Sequence, residues 1–484
     1  MRESTTNNDT RGHFIGGREV SGTESIAVVN PATGNEFGAI PDGDSDDVDA
    51  AIERARARFA DWNDIAPAER GRILTRIAET LRENADSIAA LLVRENGKSR
   101  SNAATEVEIG ARYFEYYAGI ADKIHGDSIP LTNHYVDYTL REPLGVTAHI
   151  VPWNFPVMLL GRTVAPALAA GNATIVKPAE QTPLTAIEIA QLADDAGLPD
   201  GVLNVVQGYG PDVGAPLAGH PDIDGVAFTG SVPTGRDVAT RAVENFNPVH
   251  IEAGGKNPHV VFPDADLDNA IEHTLTSIFT FNAGQVCSAG DRLILHDDIH
   301  DEFLDRLIDR VRELTVGPGE DNPDVSPIVS ETQFDHVIGY IDVGREEIGE
   351  PVIGGDALDR DGYYIEPTIF DGVTRDMRIA QEEIFGPVLA VLTFTDEAEA
   401  IKLANDTEYG LVAGIQTTNV NRAHRFARDV DAGQIYVNEW FAGGVETPFG
   451  GYEMSGFGRE KGLEAIENFT QTKNVCLNID NDLE

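Results

Sequence analysis

The fold class expected from this sequence is α/β, as two doubly wound domains with a small β element beside them. Three observations point there. The chain has 484 residues, more than one compact core holds, and 41% of them are hydrophobic, enough to fill two. From Gly145 onward short apolar strands alternate with segments of helical periodicity, the pattern of a parallel sheet covered by helices on both faces. Near residue 258 the alternation starts again and continues to about 437.

Residues 1–25 read as a loose lead-in. Between 45 and 97, Val48, Ala51, Ile52, Ala55 and Phe59, then Ile73, Ile77 and Leu81, recur at helical spacing among charged residues, which predicts amphipathic surface helices. A further helical pattern covers 101–124 and stops near Gly126. Strands are predicted over 146–151, 173–176, 202–206, 226–228 and 249–251, with helices over 157–170, 182–196 and 233–245. Gly171 closes the first of those helices, as glycine commonly does. A strand over 260–262 and a helix over 266–281 open the second domain. Residues 127–143 and 472–479 fall outside both domains as lone strands with no sheet of their own, so an intersubunit sheet is expected. The boundaries are 1–124 with 144–253 for the first domain, 254–455 for the second, and 125–143 with 456–484 for an arm and C-terminal segment.

Charge excludes several functions. Lys and Arg total 36 against 81 Asp and Glu, a formal −45, which repels nucleic acid and anionic membranes. The acids are scattered, as at Asp42, Asp44, Asp46 and Asp47, Asp194-Asp195 and Glu382-Glu383. Scattered acids predict a whole surface adapted to the salty cytoplasm of a halophilic archaeon, where counterions screen self-repulsion; an ordinary acidic enzyme is the plainer alternative. The only cysteines are Cys287 and Cys476, too few for a disulfide framework or a cysteine-rich metal site. The histidines show no paired ligand spacing, so no metal is expected. No apolar run is long enough to span a membrane and residues 1–12 carry no secretory signal, so the expected location is the cytoplasm.

Several short stretches carry chemistry. Cys287 lies in Asn282-Ala283-Gly284-Gln285-Val286-Cys287, where glycine allows close approach to a thiol nucleophile, although a lone cysteine is more often a buried structural residue. Glu252 ends a strand before Gly254 and Gly255, a place for a general base or for a solvated acid. Asn154, in Pro152-Trp153-Asn154-Phe155-Pro156, offers amide N–H donors on a proline-stiffened loop, suited to an oxyanion or merely to a rigid turn. Lys177 and Glu180 stand at the next strand's end, where they could bond ribose hydroxyls. Gly210, Gly214, Gly230 and Ser231 lie where helices open, places that hold a pyrophosphate, although turns need glycine too and no GxGxxG follows the first strand.

Taken together and in order, PWNFP, KPAE, FTGS, EAGGKNP, GQVC, EEIFGP over 382–387 and PFGG over 448–451 resemble the aldehyde dehydrogenase superfamily along nearly the whole chain. The resemblance implies an aldehyde dehydrogenase-like fold, a Rossmann-like cofactor domain first and a catalytic domain second, and a homodimer or homotetramer. It implies Cys287 as nucleophile, Glu252 as general base, and Asn154 with the Cys287 N–H as oxyanion hole. Lys177 and Glu180 resemble the adenosine-ribose ligands; Ser231 with Gly230 the pyrophosphate region; Glu383 and Phe385 the nicotinamide-ribose positions; Trp153 a further cofactor-pocket residue, to which Gly254 is added, with Gly210 and Gly214 resting on glycine placement alone. The chain departs from the family at Ala253, where leucine is frequent, and in one extra residue between Glu252 and Cys287, expected near Thr280.

The chemistry implied is oxidation of an aldehyde to an acid through a cysteine thioester, with NAD as acceptor and NADP as the alternative. Glu180 favours NAD because its carboxylate would repel a 2′-phosphate. Glu252 argues against a coenzyme A-acylating semialdehyde dehydrogenase, and the missing cysteine–histidine motif argues against a cysteine hydrolase. For the substrate, the resemblance places Arg162 in the tunnel, with Phe449 beside it and Glu460 at the mouth, where it could pair with Arg162 in the empty enzyme. An unpaired arginine there would favour small polar aldehydes or semialdehydes; a structural ion pair is the competing reading.

Overall fold

A computed structural model describes residues 9–479. Its first sheet has eight strands in the order Gly456–Phe457, Val249–Glu252, Gly225–Thr229, Val146–Val151, Ala173–Pro178, Leu203–Val205, His13–Phe14 and Glu19–Val20. The five strands from Val249–Glu252 to Leu203–Val205 run parallel, and the strands flanking them are antiparallel. Chain order reverses between Val146–Val151 and Gly225–Thr229, so the crevice at their carboxyl ends is the topological switch point of the sheet. The central strands are buried because helices cover both faces: Ala173–Pro178 is buried at every residue.

The second sheet has six strands, all parallel, in the order Thr368–Phe370, Val388–Phe394, Arg292–His296, Pro258–Val261, Val412–Gln416 and Gln434–Val437. The segment from Glu252 to Pro258 leaves the carboxyl end of the first sheet and enters the amino end of the second. The loop carrying Cys287 precedes Arg292–His296 and meets the same seam. Helices Ser45–Asp64, Pro67–Glu83, Ala85–Asn96 and Arg100–Ala118 bury the predicted apolar positions, including Val48, Ile73, Ile77 and Leu81.

Three expectations need correction. The lead-in is woven in from residue 9, because Asp9–Thr10 pairs with Asn35–Pro41 and His13–Phe14 joins the first sheet with both residues buried; residues 1–8 lie outside the described residues. The supposed lone strands have a sheet of their own: Thr470–Asn478 pairs antiparallel with Tyr135–Pro143 along its whole length, and Ser128–Ile129 completes the three. Complementary long strands satisfy each other within one chain before any partner is needed. The helix expected over 266–281 ends at Leu275 and continues as a π turn over Thr276–Thr280. A π turn is how a helix absorbs one additional residue, and such turns gather at functional sites.

Candidate active site

Cys287 sits partly exposed at the junction of two cavities, one of about 460 Å³ shared with Trp153, Glu252 and Phe385, the other of about 260 Å³ shared with Arg162, Phe449 and Lys461. Its loop takes an unusual path. Asn282, Ala283 and Gly284 all have left-handed backbone, with φ of 52°, 52° and 72°. Such conformations cost roughly 1–2 kcal/mol for a residue with a side chain and persist only when surroundings hold them. Here Asn282 Nδ2 donates to Asn154 O (3.0 Å), Gln285 Nε2 to Asn282 O (3.1 Å), and Gln285 Oε1 accepts from Val329 N (3.0 Å). Beyond the thiol, Asn257 Nδ2 donates to Cys287 O (2.9 Å) and Ala289 O (2.8 Å). A Cβ on Gly255 would lie 2.7 Å from Cys287 O, so that glycine is a condition of the close approach.

Glu252 ends its strand fully buried against the thiol. Burial pushes its pKa up to about 7, against the opposing pull of the Arg162 cation, and burial with the Glu252 charge pushes the Cys287 thiol well up. A carboxylate with a pKa near neutrality beside a thiol that does not ionise by itself is the pairing general-base activation requires.

Asn154 is 4% exposed and lines both cavities. One of its amide N–H groups donates to Gln285 O (3.2 Å), which leaves the second for a ligand. Its carbonyl is pinned by Lys98 Nζ (2.8 Å), a buried ammonium paired with Glu106. Glu106 Oε1 in turn accepts from Val157 N (2.9 Å) and Met158 N (3.2 Å), closing the amino end of the helix Pro156–Ala170. Sequence reasoning missed this support. The available signal is Glu106 itself, an acid on the apolar stripe of Ala103, Val107, Gly110 and Phe114 in its helix.

The predicted cofactor residues line one continuous groove. Lys177, Glu180, Gly210, Gly214, Gly230 and Ser231 border a cavity of about 790 Å³ at the sheet's switch point. Trp153, Gly230 and Ser231 also border the 460 Å³ cavity, together with Gly254, Glu383 and Phe385, so the groove runs on to Cys287. Lys177 and Glu180 form an ion pair at 3.3 Å. Ser231 caps the helix Val232–Glu244, whose amino end faces the groove, an arrangement that receives phosphate. Phe385 has φ of 57° and meets Trp153 edge to face at 5.2 Å between ring centres. Glu383 accepts from Gly255 N (3.0 Å), and burial pushes its pKa up to about 8.

On the other side of Cys287 the structure favours the ion-pair reading of Arg162, with Glu460 among its partners, over the free cation. Arg162 lines the 260 Å³ tunnel, as does Phe449, but it is not an unpaired cation. Its Nη2 lies 3.2 Å from Glu252 Oε2 and also contacts Glu460. Glu460 is not at the tunnel mouth: it is 2% exposed, and its backbone exchanges hydrogen bonds with Phe449. The premise that a substrate anion relieves a lone arginine therefore fails, because two carboxylates already answer its charge. Tyr113, Phe281, Tyr436, Phe441 and Lys461, which no motif singles out, complete the tunnel wall.

No helix among the described residues is long and apolar enough to cross a membrane, and no cluster there has the makings of a metal site.

Comparison with known proteins agrees with this geometry. The model of the Aldehyde dehydrogenase family matches residues 18–475. An aldehyde dehydrogenase of Emericella nidulans is 43% identical over 96% of this chain and 94% of its own length. The hydroxyisobutyraldehyde dehydrogenase of Mycolicibacterium austroafricanum is 43% identical over 94% of this chain and 91% of its own. An aldehyde dehydrogenase from Bacillus cereus, solved as an NAD+ complex, superimposes with a TM-score of 0.96 at 38% identity and covers 97% of each chain. On these matches and on the architecture that carries them, the chain belongs to the aldehyde dehydrogenase family.

Proposed function

We propose that this enzyme oxidises a small polar aldehyde to its carboxylic acid with NAD, using Cys287 as nucleophile and Glu252 as base. The observation that carries the reading is the position of Cys287, where a groove from the sheet's switch point meets a separate tunnel. Bound in that groove, the nicotinamide would supply the hydride acceptor. The groove suits such a ligand: its floor is backbone at Gly230 and Gly254, a helix amino end faces it, and Lys177 with Glu180 offers a donor and an acceptor at the far end. NADP remains the competing cofactor at Glu180.

Glu252 takes the thiol proton as sulfur attacks the aldehyde carbon. The resulting oxyanion lies within reach of the free N–H of Asn154 and the backbone N–H of Cys287. Loss of hydride leaves a thioester on Cys287. Glu252 passes that proton to solvent and then deprotonates a water that attacks the thioester, which releases the acid and frees the sulfur. A nicotinamide absorbance assay with short aldehydes, with and without coenzyme A, tests this scheme. Turnover is expected without coenzyme A, and Cys287→Ala should abolish it while cofactor binding, followed by fluorescence quenching, persists. Residual turnover of a few per cent in that variant refutes the covalent route.

The first sheet serves the cofactor and the second the catalytic loop. The three-stranded sheet of Tyr135–Pro143 and Thr470–Asn478 serves assembly, to a homodimer or homotetramer; exposed Tyr135, Val136, Leu140 and Leu477 on it support that role. The net charge of −45 and the two free cysteines support a salt-rich cytoplasm. Dialysis into dilute buffer should lower the melting temperature and activity, and molar KCl should restore both. An unchanged melting temperature after dialysis would remove the salt adaptation from this reading.

A further inference from the structure

The aldehyde tunnel is mostly aromatic and apolar, yet Arg112, Arg162 and Lys461 also line it. Arg162 is answered by Glu252 and Glu460, and Arg112 by Glu115 at 3.2 Å and Glu446 at 2.5 Å. Lys461 differs. Among the described residues its ammonium forms no ion pair and donates no hydrogen bond; it stands 5.4 Å from the centre of the Phe449 ring. The charged groups facing it are Arg162 on the helix Pro156–Ala170, Glu460 on its own segment and Glu446 on the preceding loop.

We propose that Lys461 is the specificity-determining residue of the tunnel and that its ammonium binds a carboxylate at the far end of the substrate, making ω-carboxy aldehydes the preferred class. The proposal rests on aldehyde oxidation at Cys287 and replaces the role that the sequence assigns to Arg162.

Backbone geometry supports it independently. Lys461 has φ of 59°, a conformation that costs a residue with a side chain roughly 1–2 kcal/mol and that glycine adopts freely. The turn is imposed from both sides. Glu460 is paired through its backbone with Phe449, and Gly462 N donates to Val445 O at 2.8 Å. A long cationic side chain on a left-handed backbone, bordering the cavity that holds the reacting thiol, is a strained residue at a functional site, which supports a role for it there. An aromatic face satisfies part of a desolvated ammonium, but a carboxylate also accepts its hydrogen bonds. Burial and the Arg162 cation lower the Lys461 pKa to about 8, so the group is charged at neutral pH and loses its proton just above.

The test compares succinic semialdehyde with isocaproaldehyde, in which an isopropyl group of the same shape replaces the carboxylate. The readout is the ratio of their kcat/KM values, in which ionisations common to both substrates cancel. In the wild-type enzyme the ratio should favour succinic semialdehyde and fall as pH rises through about 8. Lys461→Asn removes the charge while tolerating the left-handed backbone; it should lower the ratio at least about tenfold and flatten its pH dependence. Lys461→Arg should keep the preference. A ratio unchanged in Lys461→Asn, or one independent of pH in the wild type, overturns the assignment. Should the asparagine variant fail to fold, the wild-type pH profile decides alone. Oxidation of isocaproaldehyde without any preference for the carboxylate refutes the role of Lys461 and leaves aldehyde oxidation standing. Oxidation of neither aldehyde with NAD or NADP refutes both.

Discussion

The two sides of Cys287 are built from different materials. The cofactor side is framed by short contiguous runs at strand ends, Pro152-Trp153, Thr229-Gly230-Ser231 and Ala253-Gly254, each placed by its own strand, with Glu383, Phe385 and Tyr409 added from further along the chain. The aldehyde side is side chains from places far apart in sequence, including Tyr113, Arg162, Phe281, Phe441, Phe449 and Lys461. A ligand held by backbone demands particular short runs of sequence, because glycine or proline must stand at fixed offsets. A ligand held by converging side chains demands only that each wall residue have the right size and charge. The first kind of site resists change and the second permits it, which suits an enzyme that keeps one cofactor chemistry and varies its substrate.

Glu252 lines the cofactor-side cavity and pairs with Arg162 of the tunnel wall, so its loss should be the largest effect that separates the chemical steps. Glu252→Gln keeps the size of the side chain and removes the base. Steady-state turnover should fall by about 10²–10⁴. Reduced cofactor should still appear as a pre-steady-state burst, because thioester hydrolysis suffers more than hydride loss. Stopped-flow absorbance reads both phases, and equal slowing of the two would show that Glu252 does not serve water. The wild-type enzyme provides the matching pH profile. The base works ionised and its pKa is about 7, so kcat should fall as pH drops through that value.

Arg162 offers a smaller and more diagnostic effect. Arg162→Met leaves Glu252 and Glu460 buried together without the cation between them. Two buried carboxylates without a counterion hold their protons more tightly, so the acid limb of the kcat profile should move to higher pH. Neutral-pH activity should drop about tenfold for every unit of that movement. Breaking a buried ion pair also costs about 3–5 kcal/mol of stability, visible in the melting temperature. The loss should be the same for charged and neutral aldehydes, whereas a change at Lys461 should divide them. If Arg162→Met instead spared neutral aldehydes and damaged only ω-carboxy ones, the two cations would have to exchange roles.

Legibility followed the same division. The switch-point strands could be located from sequence because strand alternation is a local property, and Gly230 and Ser231 stand at strand ends with a weak glycine signal; Trp153 and Glu383 came only from the resemblance of short motifs to the family. Arg162 and its possible partner Glu460 come from the resemblance to the family, with helical spacing from Asn154 as support for Arg162; its second partner, Glu252, is a contact that neither segment carries alone. Glu106, which with Lys98 holds Asn154, lies on a segment read only as a helical pattern, and Lys98 in the connection before it; a charged residue on an apolar stripe marks such a buried pair but does not name its partner. The segment after residue 9 was misjudged because strands of two residues are too short to show alternation. Thr470–Asn478 and Tyr135–Pro143 were each recognised as strands, but their pairing is a long-range fact that neither segment carries alone.

The smallest expected effect lies at the far end of the groove. Lys177 and Glu180 border the 790 Å³ cavity but neither of the cavities that Cys287 lines, so changes there should alter cofactor choice and leave the chemical step to others. Glu180 is partly exposed and 3.3 Å from the Lys177 ammonium. A ribose hydroxyl can donate to that carboxylate, whereas a 2′-phosphate meets its charge. At a separation of about 4 Å, charges near a protein surface interact by roughly 1–4 kcal/mol, and partial exposure puts this site at the low end. Glu180→Gln removes the repulsion, keeps an acceptor for the hydroxyl, and leaves Lys177 without its carboxylate partner and open to a phosphate. The NAD-over-NADP ratio of kcat/KM should therefore fall by about five- to tenfold. The change should reside in the KM for NADP, with kcat nearly constant, and it should shrink in molar KCl as screening weakens the charge term. Initial rates with both cofactors at two salt concentrations measure this directly. A fall in kcat with both cofactors would mean that Glu180 also holds the groove in shape, and the cofactor side would then be less separable from the chemistry than its distance from Cys287 along the groove implies.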